Sequence, residues 1–315
     1  MSKLQQHLAV WTVGAVLLGG CATFQPPMQS ARPPAAVAAK AFQPGKAPVA
    51  LVLSGGAARG FAHVGVIKVL EAQGLKPDII VGTSAGSIVG GLYASGLTAR
   101  ELSEAVAQLD SSAFTDFVLP GLGFLPGEMG LVRGENLRRF LDARLKTHYI
   151  EDFPIRFAAV ATELSSGKST AFNAGDAGLA IVASSAVPGV VMPVVIDRRY
   201  YGDGQIVSPL PVETARALGA KVIIAVDVVY PPQDAFLSSA VSVLFQSLTV
   251  SIHQVKEHEK AAATLVISPA LEKNAGQFTF ADRERLVTAG ERATLEMLPA
   301  IRAAFDGATI ACERL

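Results

Sequence analysis

Asp78-Ile79-Ile80-Val81-Gly82-Thr83-Ser84-Ala85-Gly86-Ser87-Ile88-Val89 begins as an apolar run, passes a serine set between two glycines, and continues directly into a helical pattern. A strand that turns into a helix within so few residues forces Ser84 into a tight elbow. Small neighbours at Gly82 and Gly86 are needed there, because strand and helix backbones come close together. The elbow exposes the hydroxyl and sets it at a helix N-terminus, whose partial positive charge favours a developing alkoxide. The reading is a serine hydrolase on an α/β fold. The five-residue pattern is weak by itself, and its weight comes from the strand before it and the helix after it.

Outward from the elbow, strands and helices alternate. Val49–Leu53 reads as a short buried strand and Arg59–Gln73 as a helix with one apolar face. Thr98 and Glu101 form a capping box that opens a helix toward Leu109. Gly134–Leu145 is a further helix. Phe157–Thr162 is a strand that turns at Gly167 into Ser169–Phe172, and Asp176 caps a helix to about Ala186. Strands over Val190–Ile196 and Lys221–Val228 flank a helix at Val212–Leu218. Then come a long helix from Leu237 to Ala262, a strand at Leu265–Ile267, and a closing helix from Ala281 to Phe305 that bends near Pro299. Interleaved strands and helices predict one α/β domain over 47–315, with a mainly parallel sheet covered on both faces.

The chain has 315 residues, 50% hydrophobic and 17% charged, with a formal net charge of zero. That suits one large core and argues against electrostatic capture of nucleic acid. Residues 1–20 read as an export signal: Lys3, then an uncharged stretch from Leu8 to Leu18 that is too short to span a bilayer. The signal ends in Leu18-Gly19-Gly20-Cys21, which resembles the lipobox of bacterial lipoproteins. By that resemblance the mature chain starts at an acylated Cys21, and several acyl chains together anchor stably. The alternative is an ordinary cleaved signal with an incidental cysteine. Ala22 stands where an inner-membrane retention signal has aspartate, so the expected location is the outer membrane, facing the periplasm. Residues 21–46 carry Pro26-Pro27, Pro33-Pro34 and Pro44 and read as an extended tether. Cys312 is the other cysteine; with Cys21 acylated, no disulfide can form within the chain.

The first strand ends in Ser54-Gly55-Gly56-Ala57-Ala58-Arg59-Gly60 and runs straight into a helix. Consecutive small residues at such a turn aim several N–H groups at one point. The spacing fits neither Gly-x-Gly-x-x-Gly nor a P-loop ending in Lys-Ser/Thr. Beside an elbow serine, these donors suit the oxyanion of a tetrahedral intermediate, each worth about 3 kcal/mol.

The serine also needs a base. His253 and His258 follow Ser84 in the order of α/β-hydrolases, with Asp203 or Asp227 as the acid. Yet both histidines sit among Gln254, Lys256, Glu257, Glu259 and Lys260, on a helix whose apolar stripe is Val241, Leu244, Phe245, Leu248, Ile252 and Val255. A solvated face accounts for them. His63 and His148 are not placed as triad bases, and no histidine spacing suggests a metal site. The competing base is Asp203 in Tyr200-Tyr201-Gly202-Asp203-Gly204-Gln205, where flanking glycines permit a turn toward Ser84.

Taken together, these blocks resemble the patatin-like phospholipase family, in particular its bacterial members. Gly55-Gly56-Ala57-Ala58-Arg59-Gly60 matches the family's oxyanion motif, and Gly82 to Gly86 its elbow. Ala183-Ser184-Ser185-Ala186-Val187-Pro188 matches its Ala-Ser-x-x-x-Pro block and Asp203-Gly204 its dyad motif, all in family order. The resemblance spans about Val49 to Phe305. It implies a three-layer α/β sandwich and a Ser84–Asp203 dyad without histidine, with Gly55, Gly56 and Ala57 as the oxyanion hole. Arg59, Gly60, Gly82, Gly86 and Gly204 would support these motifs. It implies no cofactor and no metal, and a membrane phospholipid or lysophospholipid as substrate. A general carboxylesterase, thioesterase or acyltransferase of the same fold stays open, as does a lipid-binding lipoprotein without catalysis. An ordinary aspartate, with a pKa of about 3.9, is a poor base for a hydroxyl, so Asp203 requires desolvation. Two residues depart from the family pattern. Ala57 replaces a glycine, at a cost of about 1 kcal/mol or more if φ is positive, and Gln205 replaces the glycine common after the dyad motif. Phe114–Leu131, apolar but broken by Gly and Pro, reads either as a lid or membrane-docking loop beside the acyl pocket or as a connector folded over the core.

Overall fold

The structure is a computed structural model that describes residues 28–39, 42, 47–117, 129–232, 237–271 and 282–313. The export signal, Cys21, the middle of Phe114–Leu131 and the Cys312 side chain lie outside the described residues.

In chain order the elements are β1 (Val49–Leu53), α1 (Phe61–Ala72), β2 (Ile79–Thr83), α2 (Ala85–Ala94), α3 (Ala99–Ala107) and α4 (Glu135–Asp142). They continue with β3 (Arg156–Glu163), β4 (Lys168–Phe172), α5 (Ala177–Ser184), β5 (Val194–Ile196) and β6 (Arg199–Asp203). The last are α6 (Val212–Ala217), β7 (Val222–Val226), α7 (Ala240–Lys260), β8 (Leu265–Ile267) and α8 (Arg283–Glu313). A 3-10 turn at Ala57–Gly60 joins β1 to α1.

β8, β7, β1, β2 and β3 run parallel side by side, and β4, β5 and β6 add antiparallel pairings at the β3 end. The sheet is therefore mixed, with a parallel centre. All five residues of β1 are buried, as expected of a strand covered on both faces. Val49, Leu51 and Leu53 face a thick layer formed by α1, α2, α3, α5 and α8. Ala50 and Val52 face a thinner layer built on α6, which is filled largely by alanine and valine. Each large apolar side chain buried this way contributes about 1.5–3 kcal/mol. α1 and α8 cross closely because each offers a glycine to the other's backbone. A Cβ on Gly65 would meet the Val287 carbonyl at 2.0 Å, and one on Gly290 the Ala62 carbonyl at 2.0 Å.

The register around β3 determines the site. β2 pairs with β3 up to Thr83↔Val160, while β4 covers Ala159 to Glu163 from the opposite edge. β6 pairs with Ala161 to Glu163, so it must occupy the β2 edge, taking over where β2 stops. β2 and β6 thus point their C-terminal ends at each other. Ser84 follows Thr83, and Asp203 pairs with Ala161, the next position along β3.

Four expectations are corrected. Val190–Ile196 is not one strand: the Met192 N–H bonds the Val132 carbonyl, and only Val194–Ile196 joins the sheet. Pro193 between them has no N–H to carry a ladder onward. Arg199–Asp203 is a strand rather than a turn, linked to β5 by Asp197 and Arg198, both at positive φ (48° and 64°). A two-residue hairpin turn needs that geometry, and without Asn-Gly or Asp-Gly its sequence signal is faint. α8 continues through Pro299 and past Phe305 to Glu313. Finally, the described part of the tether is docked along the domain. Ala35 exchanges backbone bonds with Asn173 and Ala174, Arg32 pairs with Glu151, and the Asn173 side chain bonds both the N–H and the carbonyl of Val37.

Candidate active site

The sharp turn after β2 leaves Ser84 at φ 53°, ψ −123°, a conformation that costs a non-glycine residue about 1–3 kcal/mol. Packing holds it there. A Cβ on Gly82 would come within 2.4 Å of the Gly86 carbonyl, and one on Gly86 within 2.1 Å of the Leu53 carbonyl. Gly60 is equally constrained, its Cβ position lying 2.5 Å from the Ala85 side chain. The Ser84 N–H donates to Ser184 Oγ at 3.0 Å, and that hydroxyl donates to the Val160 carbonyl at 2.6 Å. The Ser84 carbonyl receives the N–H groups of Ser87 and Ile88 and the Ser87 hydroxyl.

Asp203 lies at the C-terminal end of β6, 1% exposed. Its N–H bonds the Ala186 carbonyl at 2.8 Å and its carbonyl receives the Thr162 hydroxyl at 2.8 Å, so the backbone is fixed on both sides. Oδ1 accepts the Gln205 N–H at 2.8 Å. Oδ2 is buried and lacks a well-formed hydrogen bond. Burial pushes the Asp203 carboxyl up to about 6. The Gln205 N–H, the nearby Ser84 hydroxyl and the Gln205 side chain act the other way. The structure therefore brings Ser84 and Asp203 together, with one carboxylate oxygen uncommitted. Gly204 allows the close approach: a Cβ there would meet the Val160 carbonyl at 2.1 Å.

The glycine loop divides its N–H groups. Gly55 donates to the Pro209 carbonyl at 3.0 Å, so its assignment to the oxyanion hole is corrected. Gly56 and Ala57 have no acceptor among the described residues, and both line one cavity with Ser84. Ala85, the first residue of α2, lines it too and likewise donates to no described residue. Ala57 has φ 49°, so the alanine does sit in the left-handed region. The Gln205 side chain lies over the loop, its Cδ 2.3 Å from where a Gly55 Cβ would be.

The cavity has a volume of about 320 Å³. Ile88, Val89, Leu109, Val187, Leu248 and Ile252 form much of its wall. Among the described residues none of its lining carries a charge. A space so lined suits an apolar chain, and Ser84 stands on its wall.

The histidines are elsewhere. His63 is fully buried beneath the loop, where its Nε2–H donates to the Ser54 carbonyl at 2.9 Å. Burial lowers its pKa to about 4, so it stays neutral as a prop for the end of β1. His253 lies 3.8 Å from Glu257 and is half-buried rather than on an open face, and His258 is exposed. Neither lines the cavity. Asp227 pairs with Lys256 at 3.1 Å and Lys260 at 3.5 Å, not with a histidine. Arg59 is buried with its guanidinium 5.3 Å from the Tyr230 ring, and burial depresses its pKa against the pull of Tyr230 and Asp227. It braces the loop without entering the cavity.

Two supports escaped the sequence reading. Ser184 was visible only as part of a motif block, yet it is the acceptor for Ser84. Glu259 on α7 receives the Ser208 hydroxyl and the Leu210 N–H, clamping the segment whose Pro209 carbonyl holds Gly55. Nothing local in the sequence marks a helix glutamate as the anchor of a distant loop.

A sequence model of the patatin-like phospholipase family matches residues 51–216. An NTE-family protein of Mycobacterium tuberculosis is 36% identical over 178 residues, covering 56% of this chain and 48% of its own. A lysophospholipase of Scheffersomyces stipitis is 35% identical over 187 residues, 57% of this chain and 12% of that one. The chain thus matches about half the length of the mycobacterial relative, and far less of the fungal one. VipD from Legionella pneumophila shares the fold at a TM-score of 0.50 and 14% identity, over 88% of this chain and 72% of that one.

Proposed function

The chain belongs to the patatin-like phospholipase family, and from that premise we propose that it is a serine lipid acyl hydrolase of phospholipase A or lysophospholipase type. The observation that carries this reading is the head-on meeting of β2 and β6. It sets a strained Ser84 beside the free Oδ2 of a desolvated Asp203, on the wall of a cavity whose lining carries no charge among the described residues.

In this mechanism Ser84 Oγ attacks the ester carbonyl carbon as its proton passes to Asp203 Oδ2. The carbonyl π bond opens, and the charge on oxygen is met by the N–H groups of Gly56 and Ala57. One such donor is worth about 3 kcal/mol. Collapse breaks the bond to the alcohol, which leaves with the proton from Asp203. Water then gives a proton to Asp203 and attacks the acyl-enzyme; collapse releases the fatty acid and returns the proton to Ser84. A carboxyl held at about 6 is mostly ionised at neutral pH yet a stronger base than an ordinary aspartate, which suits a group that both takes and gives a proton.

The test is fatty-acid release from lysophospholipid and diacyl phospholipid vesicles. The wild type should release free acid and Ser84→Ala none. Equal release by both, or transfer of the acyl group to an added alcohol in place of hydrolysis, would contradict the reading. The lipobox-like Leu18–Cys21 supports attachment at the bacterial envelope, at the outer membrane facing the periplasm. Incorporation of labelled palmitate should vanish in Cys21→Ser; labelling that persists would remove the anchor from the account.

A further inference from the structure

We propose that the N-terminal half of α7 docks on a lipid surface and leads the acyl chain into the cavity. The proposal rests on the lipid-hydrolase reading and adds where the membrane meets the protein. Phe245, Leu248, Thr249 and Ile252 of α7 line the cavity. One and two turns upstream the same apolar stripe continues outside it, with Val241 47% and Leu244 69% exposed. Leu237, just before the helix, is also exposed at 50%, and from Leu237 to Ile252 there is no charged side chain.

Four hydroxyls of the helix turn back onto its own backbone. Ser247 bonds the Val243 carbonyl at 2.8 Å, Thr249 the Phe245 carbonyl at 2.8 Å, and Ser251 the Ser247 carbonyl at 3.0 Å. Ser242 Oγ closes the capping box by accepting the Ser239 N–H at 3.0 Å, and its hydroxyl donates to the Ser239 carbonyl at 2.7 Å. A helix whose hydroxyls are satisfied by its own backbone loses little on leaving water. No helix among the described residues is long and apolar enough to cross a membrane, so α7 would lie in the interface rather than span it.

The place where the described tether begins fits the same orientation. Met28 lies 3.9 Å from where a Gly134 Cβ would be, and Val191, which lines the cavity, is 3.3 Å from that point. Cys21 lies only seven positions before Met28, a reach of at most about 25 Å. Arg32 to Val37 dock on the domain just after Met28. An anchor at Cys21 therefore keeps this face near the bilayer.

The probe is Leu244→Trp in a Trp11→Phe chain, mixed with vesicles of phosphatidylethanolamine and phosphatidylglycerol with or without brominated acyl chains. The expected result is a blue shift of Trp emission on vesicle addition and quenching by the brominated lipid. Val241→Glu/Leu244→Glu should lower hydrolysis of vesicle lipid by about ten-fold or more per apolar side chain withdrawn, with hydrolysis of a soluble butyrate ester unchanged. Two outcomes overturn the proposal. One is emission that vesicles do not move. The other is a blue shift that depends on protein concentration without lipid, which assigns the face to a second copy of this chain. If the wild type fails on the soluble ester as well, the hydrolase reading fails instead, and quenching still reports docking.

Discussion

Asp203→Asn should abolish turnover and make the protein more stable at alkaline pH. The wild-type carboxyl is buried and its pKa is raised from 3.8 to about 6. A raised acid pKa means that the folded state favours the protonated form. Relative to acid conditions, folding then loses stability as pH rises through that window. Two units at about 1.36 kcal/mol each give about 3 kcal/mol lost between pH 3.5 and pH 7, an order-of-magnitude figure. Asn keeps the acceptor for the Gln205 N–H and cannot ionise, but it buries an amide whose unmatched donor costs about 1–3 kcal/mol. The absolute gain at pH 8 is therefore small, and the pH dependence is the clean readout. Denaturant unfolding of both proteins at pH 4 and pH 8 isolates it, because all other groups titrate alike. The stability difference, variant minus wild type, should rise by about 2–3 kcal/mol between the two pH values. Parallel pH dependences would show that Asp203 is not desolvated, and the argument for it as a base would fall.

Ala57→Gly relieves a left-handed alanine worth about 1–2 kcal/mol while adding about 0.5–1 kcal/mol of backbone freedom to the unfolded chain. A melting temperature raised by about 1–3 °C is expected, and a lowered one would show that φ 49° is not strained here. Ser184→Ala strands the buried Ser84 N–H and should cost about 1–3 kcal/mol together with a lower acylation rate. Unchanged stability would mean that another acceptor replaces it. For the wild type, kcat/KM should rise with pH through about 6 as Asp203 ionises, and a flat profile from pH 5 to pH 8 would exclude it as the base.

The parallel centre and the elbow were legible in the sequence because buried strands are apolar on both faces and tight turns demand glycine. What stayed hidden came from tertiary pairing. Tyr200 to Asp203 reads as a turn because Gly202 and Gly204 flank the aspartate, and only pairing with Ala161–Glu163 makes it a strand. Gly55 looks like an oxyanion donor until Pro209 comes within 3.0 Å across the fold. The proline-rich tether looks free because its partners, Asn173 and Glu151, lie far along the chain. Ser84 and Asp203 were both named from sequence, but that β2 and β6 bring them together depends on the register of β3.

The central claim is that Ser84 reacts with the help of Asp203 and without histidine. The most direct measurement is the rate at which a fluorophosphonate labels Ser84 in four folded proteins: wild type, Asp203→Asn, His253→Ala and His258→Ala. The account predicts labelling slowed by about 10²–10⁴-fold in Asp203→Asn alone. Wild-type labelling in Asp203→Asn, or its loss in His253→Ala, would contradict it.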